Sequence, residues 1–159
     1  MKNLVKIISV DVKSTYARQL EKILKEWVPD YFIEDFHGPT FLCHPASDSF
    51  EILVILENEI CVGGALISES VVFNEFLSPE HSDVSKKLQN TGYKNFCYFS
   101  VQEDNRGKGY GKLVIQHLVK SNAKYWLTCS PHLSNFYIKN GFDIALKACK
   151  SSNSILTFK

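Results

Sequence analysis

The chain has 159 residues, 45% of them hydrophobic and 13% aromatic, which suits one ordered domain over residues 1–159 and excludes intrinsic disorder. A formal net charge of +1 supplies no concentrated basic face, so tight nucleic-acid binding is not expected and any positive field is local. Cys43, Cys61, Cys97, Cys129 and Cys149 form no C-x-x-C pair and no segment is apolar enough for a signal or a membrane span; both point to reduced, mostly buried thiols in a cytoplasmic protein that binds no membrane.

Leu4 to Val10 is expected to form a first strand, and Ser14 caps a helix whose apolar face is Tyr16, Leu20, Ile23, Leu24 and Trp27, with Pro29 ending it. Asp30 to Ser49 is irregular and mixes aromatics with Asp30, Glu34 and Asp35. Phe50 to Leu56 and Ile60 to Ile67 form a hairpin around Glu57-Asn58-Glu59. Ser78-Pro79-Glu80 is a helix start, and the helix runs to about Gln89. Asn95 to Val101 then reads as a strand buried on both faces.

Arg106-Gly107-Lys108-Gly109-Tyr110-Gly111 follows, and Tyr110, Leu113, Val114 and Leu118 recur at helical spacing after it. Glycine lets the backbone turn sharply and approach a ligand, and the first N–H groups of a helix lack internal partners, so this stretch is a cradle for an anion. It is not a P-loop, because Gly111-Lys112 is followed by Leu113 and position 106 is not glycine. Nor is it the dinucleotide fingerprint, since the glycines fall at 107, 109 and 111. A glycine-rich turn without a ligand is the plain alternative.

Tyr125 to Thr128 forms the next strand, and Ser130-Pro131 opens a short helix with Leu133, Phe136 and Tyr137 on its apolar side. Gly141 supplies a left-handed stop that lets Phe142 fold back toward Tyr137. Asp143 to Cys149 and Ser154 to Phe158 close the chain around a turn at Lys150 to Asn153.

Arg106-x-x-Gly109-x-Gly111 resembles the acyl-coenzyme A pyrophosphate loop of the GNAT superfamily of N-acetyltransferases, and Asn135-Phe136-Tyr137-Ile138-Lys139-Asn140-Gly141-Phe142 resembles that family's Tyr-x-x-x-Gly-Phe segment. The resemblance covers most of the chain and is specific from about Asn95 to Phe142. It implies an α/β (α+β) fold: a mixed, mostly antiparallel sheet of about six or seven strands, helices on both faces, and a splay between the parallel fourth and fifth strands. It also implies an acyltransferase that uses acetyl-coenzyme A as co-substrate without a metal, acts on a primary amine of a small molecule or peptide through a ternary complex, and is a monomer or homodimer.

Carried onto this sequence, the resemblance makes Tyr137 the acid that protonates the departing thiolate, with a core aromatic as the alternative. Arg106, Lys108 and Lys112 neutralise the pyrophosphate or ribose phosphate, while Gly107, Gly109, Tyr110 and Gly111 line the cradle. Backbone N–H groups near Ser100, Val101 and Gln102 face the acyl oxygen, and Ser134 and Asn135 bond the pantetheine amides. Two departures stand out. Glu103 occupies a position that is often proline, and the central strand carries no Glu, Asp or His. Glu103 and His132 are the candidate bases, and a non-catalytic acyl-coenzyme A sensor and a phosphate-binding module remain alternatives to the enzyme.

Overall fold

A computed structural model describes residues 4–26, 50–69, 79–149 and 153–159. Trp27, Pro29, Asp30 to Ser49 with Cys43, Ser78 and most of the final turn lie outside the described residues. The described residues form seven strands in one sheet, ordered β1-β2-β3-β4-β5-β7-β6. The chain divides into two compact units, 1–67 with 98–114 and 68–97 with 115–159.

In the first unit, β1 (Val5–Val10) pairs antiparallel with β2 (Phe50–Glu57), from Val5 opposite Glu57 to Val10 opposite Ile52. Asn58 and Glu59 both take positive φ, 51° and 66°, the two-residue turn whose twist suits a hairpin into β3 (Ile60–Ser68). Helix α1 (Thr15–Lys25) starts at Ser14, whose hydroxyl accepts the Tyr16 N–H at 3.2 Å. Its buried face is Ala17, Leu20, Glu21, Ile23 and Leu24, which holds the expected Leu20, Ile23 and Leu24 and adds Ala17 and Glu21, while Tyr16 is only half-buried. Leu20 rests over Gly64, where an added Cβ would sit 2.9 Å from its δ-carbons and 2.1 Å from the Leu53 carbonyl oxygen.

In the second unit, helix α2 (Pro79–Asn90) lays Val84 and Leu88 against a cluster of Tyr93, Trp126 and Ile155. Strand β5 (Lys124–Cys129) pairs antiparallel with β7 (Ser154–Phe158), which pairs with β6 (Asp143–Leu146). β6 ends at Leu146, short of the expected Cys149; its register slips between Ile144 and Leu146, and pairing resumes with Leu146 opposite Ile155.

Strand β4 (Tyr93–Val101) starts two residues before the expected Asn95. It runs parallel to β5, joining Tyr93 to Lys124, Lys94 to Tyr125 and Asn95 to Trp126; the register ends there, while β4 continues to Val101 and β5 to Cys129. Helix α3 (Tyr110–Val119) follows the glycine-rich stretch, and helix α4 (Pro131–Lys139) follows β5. Among the described residues no helix is long and apolar enough to cross a membrane.

Candidate functional site

After Val101 the chain makes a 3-10 turn, Glu103–Asn105, in which the Asn105 N–H donates to Gln102 at 2.9 Å and the Arg106 N–H to Glu103 at 3.1 Å. Gly107 and Gly109 then take φ of +76° and +83°, the left-handed region where a side chain is strained. No atom lies within 4 Å of where a Cβ would stand at either position, so that side of the loop is open. The Leu113 N–H donates to Gly109 at 3.2 Å, which makes Gly109 the cap of α3. The N–H groups of Tyr110, Gly111 and Lys112 come before the first intrahelical bond and lie at the positive end of the helix dipole. Gly111 sits within the first helical turn, so the left-handed conformations belong to Gly107 and Gly109.

The cations around this loop are not equivalent. Arg106 Nε donates to the Val101 carbonyl at 3.3 Å, which ties the loop back to the end of β4. Lys108 Nζ lies 2.7 Å from Asn105 Oδ1 and 3.2 Å from Glu57 Oε2. The Glu57 side chain is only 12% exposed. The buried Tyr110 hydroxyl also donates to Glu57, and it is pushed up to about 12, first by burial and then by that carboxylate. Lys108, expected to face a phosphate, is therefore paired within the protein, whereas Lys112 is exposed on the first turn of α3. Glu57 was invisible to sequence reasoning because it reads as part of a hairpin turn, and its partners lie about fifty residues away.

At the end of β4 the Gln102 N–H donates to the Val62 carbonyl at 2.8 Å. N–H groups alternate between the two edges of a strand, so those of Gln102 and Ser100 face β3 and that of Val101 faces the opposite edge. Of the three amides expected to meet an acyl oxygen, those of Ser100 and Gln102 face β3 and only the one at Val101 faces away from it. β3 also approaches this end closely, since a Cβ at Gly63 would stand 2.6 Å from the Ser100 carbonyl oxygen. Glu103 is exposed on the 3-10 turn.

In the second unit, α4 places Tyr137 half-buried, with its ring edge-on to Phe136 at 5.1 Å and to Phe142 at 5.5 Å. Gly141, at φ +99°, turns the chain so that the Phe142 N–H donates to the Tyr137 carbonyl at 3.1 Å, as the sequence suggests. The Tyr137 hydroxyl is pushed up to about 12 by burial and then by Cys129. Burial also raises the Cys129 thiol, whose sulfur lies 3.6 Å from the Ser134 hydroxyl.

Ser134 is thus buried against a cysteine, while Asn135 is exposed. Leu133 and Phe136, expected to be inward, are 47% and 37% exposed, because Ser134 and Tyr137, one turn apart, take the inner face of this short helix. His132 is exposed, with Nε2 3.4 Å from the Ser130 hydroxyl. Among the described residues no group of three or more His, Cys, Asp or Glu side chains is placed to hold a metal.

No protein-family model matches the chain, and no curated protein matches its sequence. Solved structures match its fold. Arabidopsis thaliana Naa50, in complex with the bisubstrate analogue CoA-Ac-MVNAL, superposes with a TM-score of 0.58 at 16% identity over 98% of each chain. Escherichia coli ElaA gives 0.61 at 14% identity, over 98% of this chain and 100% of that one. A GNAT family acetyltransferase from Elizabethkingia anophelis with acetyl-CoA bound gives 0.61 at 12% identity, over 98% and 97%. At these identities the likeness is one of fold.

Proposed function

We propose that this chain, whose fold is that of the GNAT acetyltransferases, transfers an acetyl or other short acyl group from acetyl-coenzyme A to a primary amine. The observation that carries the proposal is the left-handed Gly107 and Gly109 pair feeding the unpaired N–H groups at the start of α3. Side-chain-free space beside the N–H groups of the first helical turn fits a pyrophosphate, with Lys112 adding charge from that exposed turn. The donor it binds supplies an activated thioester; the chain's own residues do the rest.

In this proposal the Val101 N–H steadies the oxygen on which negative charge collects during attack. The Tyr137 hydroxyl gives its proton to the departing sulfur, and because its pKa is pushed up to about 12 it keeps that proton throughout the neutral range. An alkylamine with a pKa of about 10.4 is neutral in only about one part in 2,500 at pH 7, so the acceptor enters as the rare free base or loses its proton on the way in. Glu103 is exposed beside the loop, and we assign it the relay of that proton to water.

A peptide amine stands beside a small-molecule amine as acceptor, supported by the CoA-Ac-MVNAL analogue held by the Arabidopsis protein. Neighbours that span 98% of this chain support residues 1–159 working as one catalytic domain. We place it in the cytoplasm, as a monomer or homodimer; the free thiols of Cys61, Cys97 and Cys129 suit a reducing compartment.

Calorimetric titration with coenzyme A tests the donor site. Saturable binding that weakens with salt is the expected result, and no binding at millimolar ligand would overturn it.

A further inference from the structure

We propose that Glu57 is the positioning residue of the donor loop: its carboxylate, at the end of β2, holds Lys108 and Tyr110 on either side of Gly109 and so presets the backbone that receives the pyrophosphate. The inference rests on the coenzyme A reading of this loop and adds to it a residue from a distant strand.

A loop built on Gly107 and Gly109 has a physical problem. Glycine visits positive and negative φ about equally, and beyond the chain neighbours no atom lies within 4 Å of the Cβ position of either one; Gly109 is tied on its helix side by the Leu113 N–H, which leaves the side toward Gly107 to be fixed. The shape must therefore be fixed from the flanks. On one side Lys108 spans Asn105 at 2.7 Å and Glu57 at 3.2 Å, which closes the turn before Gly109. On the other side Tyr110, 4% exposed, donates its hydroxyl to the same carboxylate. Glu57 is itself held, since it pairs with Val5 in the β1–β2 ladder and follows the buried run Ile52 to Leu56. Charge-assisted bonds to a poorly exposed carboxylate are stronger than neutral ones and well suited to this work.

Electrostatics alone predicts the opposite of a helpful Glu57. A carboxylate near an anion site repels the anion, so removing its charge should tighten coenzyme A binding if Glu57 only contributes its field. If it positions the loop, removing the charge loosens the loop and weakens binding. The sign of the effect separates the two.

The experiment compares wild type, Glu57→Gln and Tyr110→Phe by hydrogen–deuterium exchange of the ligand-free loop and by calorimetry with coenzyme A. Glu57→Gln should speed exchange of the amides at 106–111 and weaken coenzyme A by about tenfold. Tyr110→Phe removes one arm without touching the charge and should shift both readouts the same way. In a Lys108→Met background the Glu57→Gln effect should shrink, because one of its two partners is already gone, and with Tyr110→Phe added it should fall below about twofold. Unchanged loop exchange, or equal or tighter coenzyme A binding, in Glu57→Gln overturns the proposal. If wild type fails to bind coenzyme A, the donor-site reading falls. The exchange arm then still decides the clamp: faster exchange in both variants upholds it, and unchanged exchange overturns it.

Discussion

The Gln102 N–H donates to the Val62 carbonyl at 2.8 Å, and this bond sets the direction of every amide at the end of β4. It turns Gln102 and Ser100 toward β3 and leaves Val101 facing the edge that the β5 register does not reach. The chemistry assigned to Val101 follows from that alternation.

Val101→Pro should therefore lower turnover by roughly 10²-fold, because it deletes the amide assigned to the developing oxyanion. That amide takes no part in the β3–β4 ladder, so proline is tolerable there and the far-ultraviolet circular dichroism should hold. Gln102→Pro instead deletes the bond to Val62 and should lower the melting temperature. Turnover unchanged in Val101→Pro would remove this amide from the mechanism.

Tyr137→Phe should lower kcat by roughly 10²-fold with little change in coenzyme A affinity. Since the hydroxyl is pushed up to about 12, the wild-type rate should keep rising through pH 9 as the acceptor amine loses its proton, with no descending limb from Tyr137 in that range. A descending limb near pH 9 that vanishes in Tyr137→Phe would contradict the assigned environment.

Both Tyr110 and Tyr137 are pushed up to about 12 from 10.0, which links stability to alkaline pH. Below pH 10 both the folded and the unfolded chain keep these protons, and the contribution is fully present. Between about pH 10 and 12 the unfolded chain ionises first, so stability falls as pH rises toward the folded value. The melting temperature should drop across that window, and Tyr110→Phe should make the drop shallower. A slope unaltered by Tyr110→Phe would refute the link.

Gly109→Val should abolish coenzyme A binding in a folded protein. The space around Gly109 is open, so the damage comes from forcing a β-branched residue to φ +83°, not from a clash. Gly111 is helical, and Gly111→Val should act differently, by placing a side chain before the N–H groups without straining the backbone. Retained affinity in Gly109→Val, measured calorimetrically, would sink the cradle.

Short-range features were legible in the sequence. Arg106 to Gly111, the Asn58-Glu59 turn and the Gly141 stop each depend on a few adjacent residues whose backbone preferences are written locally. Other contacts depend on pairs far apart in the chain. Glu57 with Lys108 and Val62 with Gln102 exist only because the strand order β2-β3-β4 brings them together. Cys129 with Ser134 spans five residues, yet it needs the turn from β5 into α4 to point both inward, and no period in the sequence announces that. This is also why Lys108 reads as a free cation until its carboxylate partner is seen.

The most direct test of acyl transfer is to incubate the protein with acetyl-coenzyme A and a panel of primary amines, small molecules and short peptides, while reading free thiol. The account predicts thiol release that requires both enzyme and amine and falls by roughly 10²-fold in Tyr137→Phe. Tight coenzyme A binding with no amine-dependent release from any of them would contradict it and leave a sensor in place of an enzyme.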